Sequence, residues 1–332
     1  MTTALQALPA SDRRIIEPPE KGQRMSNALE TTKLGKSYGR TWALQDCTLA
    51  LPAGRVAALV GPNGAGKTTF LHLATGLLQP TAGSVQVFGM TPHERPKEVL
   101  PRLGFVAQDH PLYRGLSVAD LLTLGRKMNP RWDDALARAR MQKLGIPLGR
   151  RAGQLSGGQQ AQVALVLALA KRPDLLLLDE PLASLDPLAR REFLRTLMDA
   201  AVETGMTVLL SSHNIGDLER VCDYLIILSA AHVQLAGDIT EIVRAHKRLV
   251  GPRQDVSGVA SVHTIVESSQ TARQTTLLVR TNGPLFDPSW AVEEVSLEDI
   301  VLAYLGQQTD ARRPVSSPAE REHDVEEMEG VQ

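Results

Sequence analysis

Short, uninterrupted apolar runs recur along the chain, and helix-patterned stretches separate them. Val56 to Val60, Leu175 to Leu178 and Thr207 to Leu210 are such runs, closed by Gly61, Asp179 and Ser211. Strands buried on both faces read this way, whereas half-buried strands alternate. Gly157 to Lys171 has helical spacing and stops at Arg172-Pro173-Asp174, and Leu188 to Ala201 is amphipathic. Apolar strands alternating with helices predict a parallel sheet covered on both faces. In such sheets ligands bind beyond the carboxyl ends of the strands.

Other patterns fill in the order. Leu29 to Leu34 and Trp42 to Leu51 read as strands around a Gly39-Arg40 turn, and Ser84 to Phe88 as another. Arg102 to Ala107 is a short strand ending at Gln108. From Asp109 to about Gly153 the pattern is helical, with Ser117 an N-cap for Val118 to Leu124 and a second helix over Ala135 to Leu144. A helix is expected at Ile215 to Val221, strands at Tyr224 to Leu228 and His232 to Leu235, and a helix at Asp238 to Arg248. Pro252 to Leu305 reads as a small separate unit, with strands near Ser261 to Glu267, Thr275 to Arg280 and Ala291 to Val295. A helix from Leu297, capped by Ser296 with Asp299, closes it.

The expected division is a disordered leader over 1–27, a main domain over 28–248 with its helical insertion at about 109–153, an accessory domain over 252–306, and a disordered acidic tail over 307–332. Met25 is a candidate alternative start. The formal net charge of −1 argues against nucleic acid as partner. No apolar run reaches the roughly 18 residues of a membrane helix, and no signal-peptide region opens the chain, so a cytoplasmic location is expected. Cys47 and Cys222 form no CxxC and read as buried thiols.

Candidate chemistry sits at the strand ends. Gly61-Pro62-Asn63-Gly64-Ala65-Gly66-Lys67-Thr68-Thr69 follows the first buried strand and opens a helix. This is the phosphate-binding P-loop: glycines turn backbone N–H groups inward, and the helix N-terminus adds partial positive charge. Lys67 is placed to reach the β- and γ-phosphates of a nucleotide, and Thr68 to ligate Mg²⁺. Asp179-Glu180 closes the Leu175 strand; Asp179 suits the Mg²⁺ shell, and Glu180 suits polarising a water in line with the γ-phosphate. Leu155-Ser156-Gly157-Gly158-Gln159 opens the long helix as a second anion-binding tip.

With that pentapeptide the chain resembles the ATP-binding cassette (ABC) family over about Leu29 to Leu235. The family's motifs occur in its order: P-loop, Gln108, signature, Asp179-Glu180, Ser184-Leu185-Asp186, His213. The resemblance implies an α/β fold: a P-loop NTPase sheet with an antiparallel β-subdomain and an inserted helical subdomain, here plus a small C-terminal α+β unit. It also assigns roles. Tyr38 stands where the family stacks adenine, with Trp42 the alternative. Gln108 resembles the glutamine that contacts Mg²⁺ and water, and His213 the switch histidine at the γ-phosphate. Without the family a lone histidine at a strand end reads as structural. Asp186 resembles the residue that links two nucleotide sites across a dimer. The signature of one subunit, Ser156, Gly157, Gly158 and Gln159, closes the P-loop of another, so a second cassette is implied, identical or related. One departure is Gln160-Ala161-Gln162, where the family usually carries basic residues; this puts helix-surface contacts in question.

The resemblance implies an ATPase subunit using ATP and Mg²⁺, driving a separate membrane permease from the inner face of the membrane. Similarity to drug- and antibiotic-export cassettes, including Ala183 to Arg191, favours export. The alternative is a non-transport ABC ATPase. Chromosome and repair members place a long coiled coil between P-loop and signature, and Lys67 to Ser156 holds no sustained heptads; translation-associated members carry two cassettes. An unrelated P-loop kinase would not need Leu155 to Gln159. The stretch from Asp109 to about Leu124, with Leu112, Tyr113 and Leu116, is the expected docking surface for the permease.

Overall fold

In a computed structural model, the described residues are 27–311 apart from 214, 217, 254 and 284–287. The leader up to residue 26 and the acidic run from Glu320 to Glu329 lie outside them. In chain order the elements are β1 (Asn27–Tyr38), β2 (Thr41–Pro52), β3 (Val56–Val60), α1 (Lys67–Thr75), β4 (Ala82–Val87), α2 (Pro96–Val99), β5 (Leu103–Val106), α3 (Val118–Met128), α4 (Asp134–Lys143), α5 (Gly157–Ala170), β6 (Leu175–Leu178), α6 (Pro187–Thr204), β7 (Thr207–Ser212), β8 (Tyr224–Ser229) and β9 (His232–Asp238). Then come α7 (Ile239–Ala245), β10 (His246–Pro252), α8 (Ser257–Val262), β11 (Thr264–Gln270), β12 (Gln274–Arg280), β13 (Ala291–Glu293) and α9 (Leu297–Ala311).

The apolar runs form the central sheet, in the order β5-β6-β7-β3-β8-β9. Its first five strands are parallel and β9 is antiparallel. Every residue of β3, β6, β7 and β8 is buried. The period-two alternation then sorts them: Val56, Ala58, Val60, Leu176, Leu178, Val208 and Leu210 face a core closed by α5 and α6. Ala57, Leu59, Leu175, Leu177 and Leu209 face a second core under α1 and the antiparallel sheet β2-β1-β4. Each buried leucine contributes about 1.5–3 kcal/mol of hydrophobic stabilisation before entropy is counted.

The helical insertion builds its own core from Val118, Leu121 and Leu122 of α3, Ala137 and Met141 of α4, and Val163, Val166 and Ala170 of α5. Ser117 caps α3 in a reciprocal box with Asp120. Ion pairs Arg172–Asp133, Arg131–Asp174, Arg140–Glu203 and Lys143–Asp199 stitch the insertion to the sheet and α6.

Three expectations change in the C-terminal half. The described residues of the stretch from Ile215 to Val221 are bends and turns rather than a helix; Ile215 and Leu218 still reach the core. The helix after Asp238 stops at Ala245, because His246 to Pro252 pair along β12 as β10. The strand expected from Ser261 begins at Thr264 instead, after the short α8. The sheet β11-β12-β10-β13 buries Leu249, Leu277 and Val279 with Trp290 and Val259 on one face. On its other face Leu278 and Val266, with Leu297, Ile300, Val301 and Tyr304 of α9, join the core that holds Leu225 and Ile227 of β8.

Candidate nucleotide site

The parallel register decides which loops meet. Val106 pairs with Leu178, Leu178 with Leu210, and Val60 with Ser212. The loops leaving β5, β3, β6 and β7 therefore emerge on one edge, carrying Gln108, the P-loop, Asp179-Glu180 and His213.

Glycine is obligatory at two P-loop positions. A Cβ at Gly61 would lie 2.1 Å from the Leu228 carbonyl oxygen, and one at Gly66 would lie 2.4 Å from that of Ala43. Gly66 also has φ +104 as the N-cap of α1. The loop is thus clamped between β8 and β2, while Gly64, at φ +80, has open space over its Cβ position. The helix that follows carries no acidic residue of its own in its first turn to offset its N-terminal partial charge. Lys67 is 6% exposed and donates to the Gly61 carbonyl at 2.7 Å and the Pro62 carbonyl at 3.2 Å.

The acidic pair lies against this lysine. Glu180 Oε1 is 3.0 Å from Lys67 Nζ, and Glu180 Oε2 is 2.9 Å from His213 Nδ1. Glu180 is 8% exposed and sits at φ +46, a left-handed conformation unusual for a non-glycine residue. Ser211 holds both acids: its hydroxyl donates to Asp179 Oδ1 at 2.9 Å and accepts from the Glu180 N–H at 2.8 Å. No motif marks Ser211 as a site residue; its place beside Asp179 follows once β6 and β7 are paired. Asp179 N–H donates to the Val106 carbonyl, which ties the acids to the strand leading to Gln108.

Tyr38 and Trp42 separate cleanly. Lys36 pairs with Leu44 and Ser37 with Trp42, so Ala43 is a bulge residue that turns Trp42 to the opposite face. Tyr38 shares a face with Lys36 and Leu44, and Leu44 is the side chain against Gly66. Trp42 covers Gly35 on the far side. Tyr38 is 53% exposed on the P-loop face, with the Lys36 ammonium 5.6 Å from its ring centre.

Thr68 and Gln108 are exposed and Asp179 is buried. A hydroxyl, an amide carbonyl and a carboxylate are the oxygen donors that Mg²⁺ accepts. Among the described residues no group of three or more His, Cys, Asp and Glu side chains is arranged for a metal.

The signature is held by local caps. Ser156 caps α5, accepting from the Gln159 N–H at 3.2 Å, while Gln159 Oε1 accepts from the Ser156 N–H. Gly158 packs against Ala189 at the start of α6, where Asp186 caps by accepting from the Leu188 and Ala189 N–H groups. No hydrogen bond or ion pair among the described residues joins Ser156–Gln159 to the P-loop. Two of the three residues after the signature are off the surface, Ala161 fully buried and Gln162 5% exposed, while the half-buried Gln160 donates to the Leu155 carbonyl.

Residues 44–183 match the ABC transporter family model. The sulfate/thiosulfate import ATP-binding protein CysA of Yersinia pseudotuberculosis is 36% identical over 229 residues, 65% of this chain and 62% of the relative. The chain thus spans under two thirds of the length of such relatives. Among solved structures, an ATP-binding subunit of an ABC transporter is 27% identical, with a TM-score of 0.60 over 65% of this chain and 92% of its own. A dimeric post-hydrolysis state of the cassette MJ0796, bound to ADP and Pi, is 26% identical, with a TM-score of 0.57 over 63% of this chain and 98% of its own. Family model, curated relatives and solved structures converge: this chain carries the ATPase domain of the ABC transporter family.

Proposed function

We propose that the chain is the ATP-binding and ATP-hydrolysing subunit of a transporter, acting as one of two cassettes beneath a separate membrane permease. The observation that carries this is the Lys67–Glu180–His213 chain at the mouth of the P-loop. In this reading the P-loop amides from Gly61 to Thr69 and the Lys67 ammonium hold the phosphates, and Tyr38 stacks on the adenine. Thr68, Asp179 and Gln108 hold Mg²⁺, which neutralises phosphate charge when bound. Glu180 takes the proton of a water in line with the γ-phosphate, and His213 orients Glu180 and contacts that phosphate. Nucleotide binding moves Lys67 off Glu180, which frees the carboxylate for the water.

Ser156, Gly157, Gly158, Gln159 and Asp186 serve the partner cassette's nucleotide. The dimeric state of the MJ0796 cassette supports a pair. No helix among the described residues is long and apolar enough to cross a membrane, so transport calls for a permease subunit. The subunit then lies on the inner face of the membrane, and nucleic acid has no part in it. The proposed cassette ends near Ala245, and the accessory unit runs from His246. Direction has two readings. The sequence resemblance to export cassettes supports export, whereas the import role of CysA supports import. Purified chain should hydrolyse ATP only with Mg²⁺, and pull-down from detergent-solubilised membranes should recover a polytopic protein. Recovery of nucleic acid or ribosomes instead would support the non-transport alternative. Loaded vesicles containing the permease read the direction.

A further inference from the structure

Glu180 and Asp186 bracket one loop, and α6 reaches back to hold it. Its apolar residues Leu182 and Leu185 are each 5% exposed and join the core that holds Phe193 and Leu197 of α6, while Ala183, Ser184 and Asp186 are exposed. Tight turns shape the loop: the Ala183 N–H donates to the Glu180 carbonyl at 3.2 Å, and the Leu185 N–H to the Leu182 carbonyl at 3.2 Å. Arg190, half-buried in the first turn of α6, binds this loop with backbone and side chain alike. Its backbone N–H donates to the Asp186 carbonyl at 2.9 Å. Its Nε–H is shared between the Leu182 carbonyl at 3.2 Å and the Leu185 carbonyl at 3.1 Å. Carbonyls beside buried side chains need such partners. Phe193 and Leu197 are fully buried, so the helix that carries Arg190 is fixed to the core. The loop leaves from Glu180, whose φ of +46 persists only where surrounding contacts impose it.

Resting on the hydrolytic, paired-cassette reading above, we propose that Arg190 is a positioning residue: its Nε–H fixes the loop that joins Glu180, the base, to Asp186, the residue that serves the second cassette. The shared bond holds both halves of that loop. Leu182 lies just after Glu180 and Leu185 lies next to Asp186, so a loop released by Arg190 loosens at the base and at the partner-facing end together. The phosphate grip does not run through it, because Lys67 keeps the Gly61 and Pro62 carbonyls. Nucleotide binding to a single chain should therefore hold, whereas turnover and pairing should fall.

The test compares Arg190→Met with Arg190→Gln in the full chain. Counted in bonds from the backbone, the Met methyl and the Gln amide nitrogen both fall where Nε stands. Both variants lack the guanidinium charge, so the donor at that position is what separates them. Arg190→Met should turn over about five- to tenfold more slowly than Arg190→Gln, the scale of one lost positioning hydrogen bond. Binding of a non-hydrolysable ATP analogue to the monomer should stay within about twofold of wild type in both. In a Glu180→Gln background, the protein concentration needed for the ATP-dependent shift from monomer to dimer should rise about tenfold with Arg190→Met and stay near its starting value with Arg190→Gln. Equal kcat in the two folded variants would overturn the proposal. So would an analogue affinity that falls as far as kcat, or a dimer shift that Arg190→Met leaves unmoved. Should Glu180→Gln alone keep full turnover or never pair, the functional reading fails instead, and the kcat gap between the two Arg190 variants still decides the role of Arg190.

Discussion

Glu180→Gln tests the core of the site, and its consequences can be worked from the contacts. The Lys67–Glu180 pair is 3.0 Å long, and both side chains are nearly buried. At an effective dielectric of about 20 the attraction is roughly 5 kcal/mol, most of which desolvation of the two groups offsets. Breaking a buried pair by apolar replacement costs about 3–5 kcal/mol, because the remaining charge is stranded. Glutamine keeps an acceptor, and Lys67 retains the Gly61 and Pro62 carbonyls. The expected stability loss is therefore only about 1–2 kcal/mol. Turnover should fall far more, by about 10²–10⁴, since a positioned general base is worth that much. At roughly 1.4 kcal/mol per tenfold, this corresponds to about 3–5 kcal/mol of transition-state stabilisation.

Nucleotide affinity should not fall. In the wild type the phosphates compete with Glu180 for Lys67; in the variant they do not, and repulsion between carboxylate and γ-phosphate is also gone. ATP should bind at least as tightly, and sizing chromatography should show an ATP-dependent shift from monomer to dimer. Lys67→Ala should lose both binding and the shift. The assays are phosphate release, equilibrium nucleotide binding and urea denaturation. Turnover within about threefold of wild type would place the base elsewhere, given the effect expected of a general base. Affinity at least tenfold weaker would mean that Lys67 is not shared in the way the 3.0 Å contact implies.

Tyr38→Ala should weaken ATP binding about five- to tenfold, the scale of one base–aromatic stack, while Trp42→Ala should leave it unchanged; a fluorescence titration compares them. Tyr113→Glu should uncouple transport in reconstituted vesicles while leaving ATPase of the isolated chain at the wild-type rate; unimpaired transport would remove this loop from the docking surface. His246 is buried, its Nδ1 bonded to the Ile242 carbonyl and its Nε2 to the Tyr304 hydroxyl, and burial lowers its pKa. A histidine depressed in the folded state contributes stability above its unfolded pKa of about 6.5 and loses it as pH falls through the lower folded value. Tm should drop on acidification below about 6.5, and His246→Phe should flatten that drop.

The elements most legible in the sequence are those whose information is local. Leu175 to Leu178 is an apolar run wherever it sits, and Ser117 with Asp120, or Ser296 with Asp299, announces a cap within four residues. His246 to Arg248 continue a helical pattern, yet become strand because β12 offers partners thirty or so residues later. Ile215 and Leu218 keep helical spacing and still bury, without a helix between them. At the site, Lys67 is marked by the P-loop and Asp179 and Glu180 by their strand end, whereas His213 is singled out only by the family resemblance. Ser211 needs the β6–β7 register before it has a role. The opposite faces taken by Tyr38 and Trp42 turn on a single bulge at Ala43, for which the sequence carries no local signal.

The departure after the signature follows from the same long-range packing. Helix α5 buries two faces: Ala161, Leu165, Ala168 and Leu169 against the sheet and α6, and Val163, Val166 and Ala170 against α3 and α4. A lysine or arginine at position 161 or 162 would be taken out of water, and a buried charge without a partner is far costlier than a buried amide. Gln162 shows that even the amide is held at some cost, since neither of its polar atoms has a partner. Two buried faces also mean that α5 cannot shift against the sheet or against the insertion without exposing apolar surface. The ion pairs across the seam are too exposed to supply that rigidity. Packing supplies it, so Ser156 at the tip of α5 is set by both cores together. A nucleotide held between that tip and a second chain's P-loop would therefore pull on the sheet and the insertion at once.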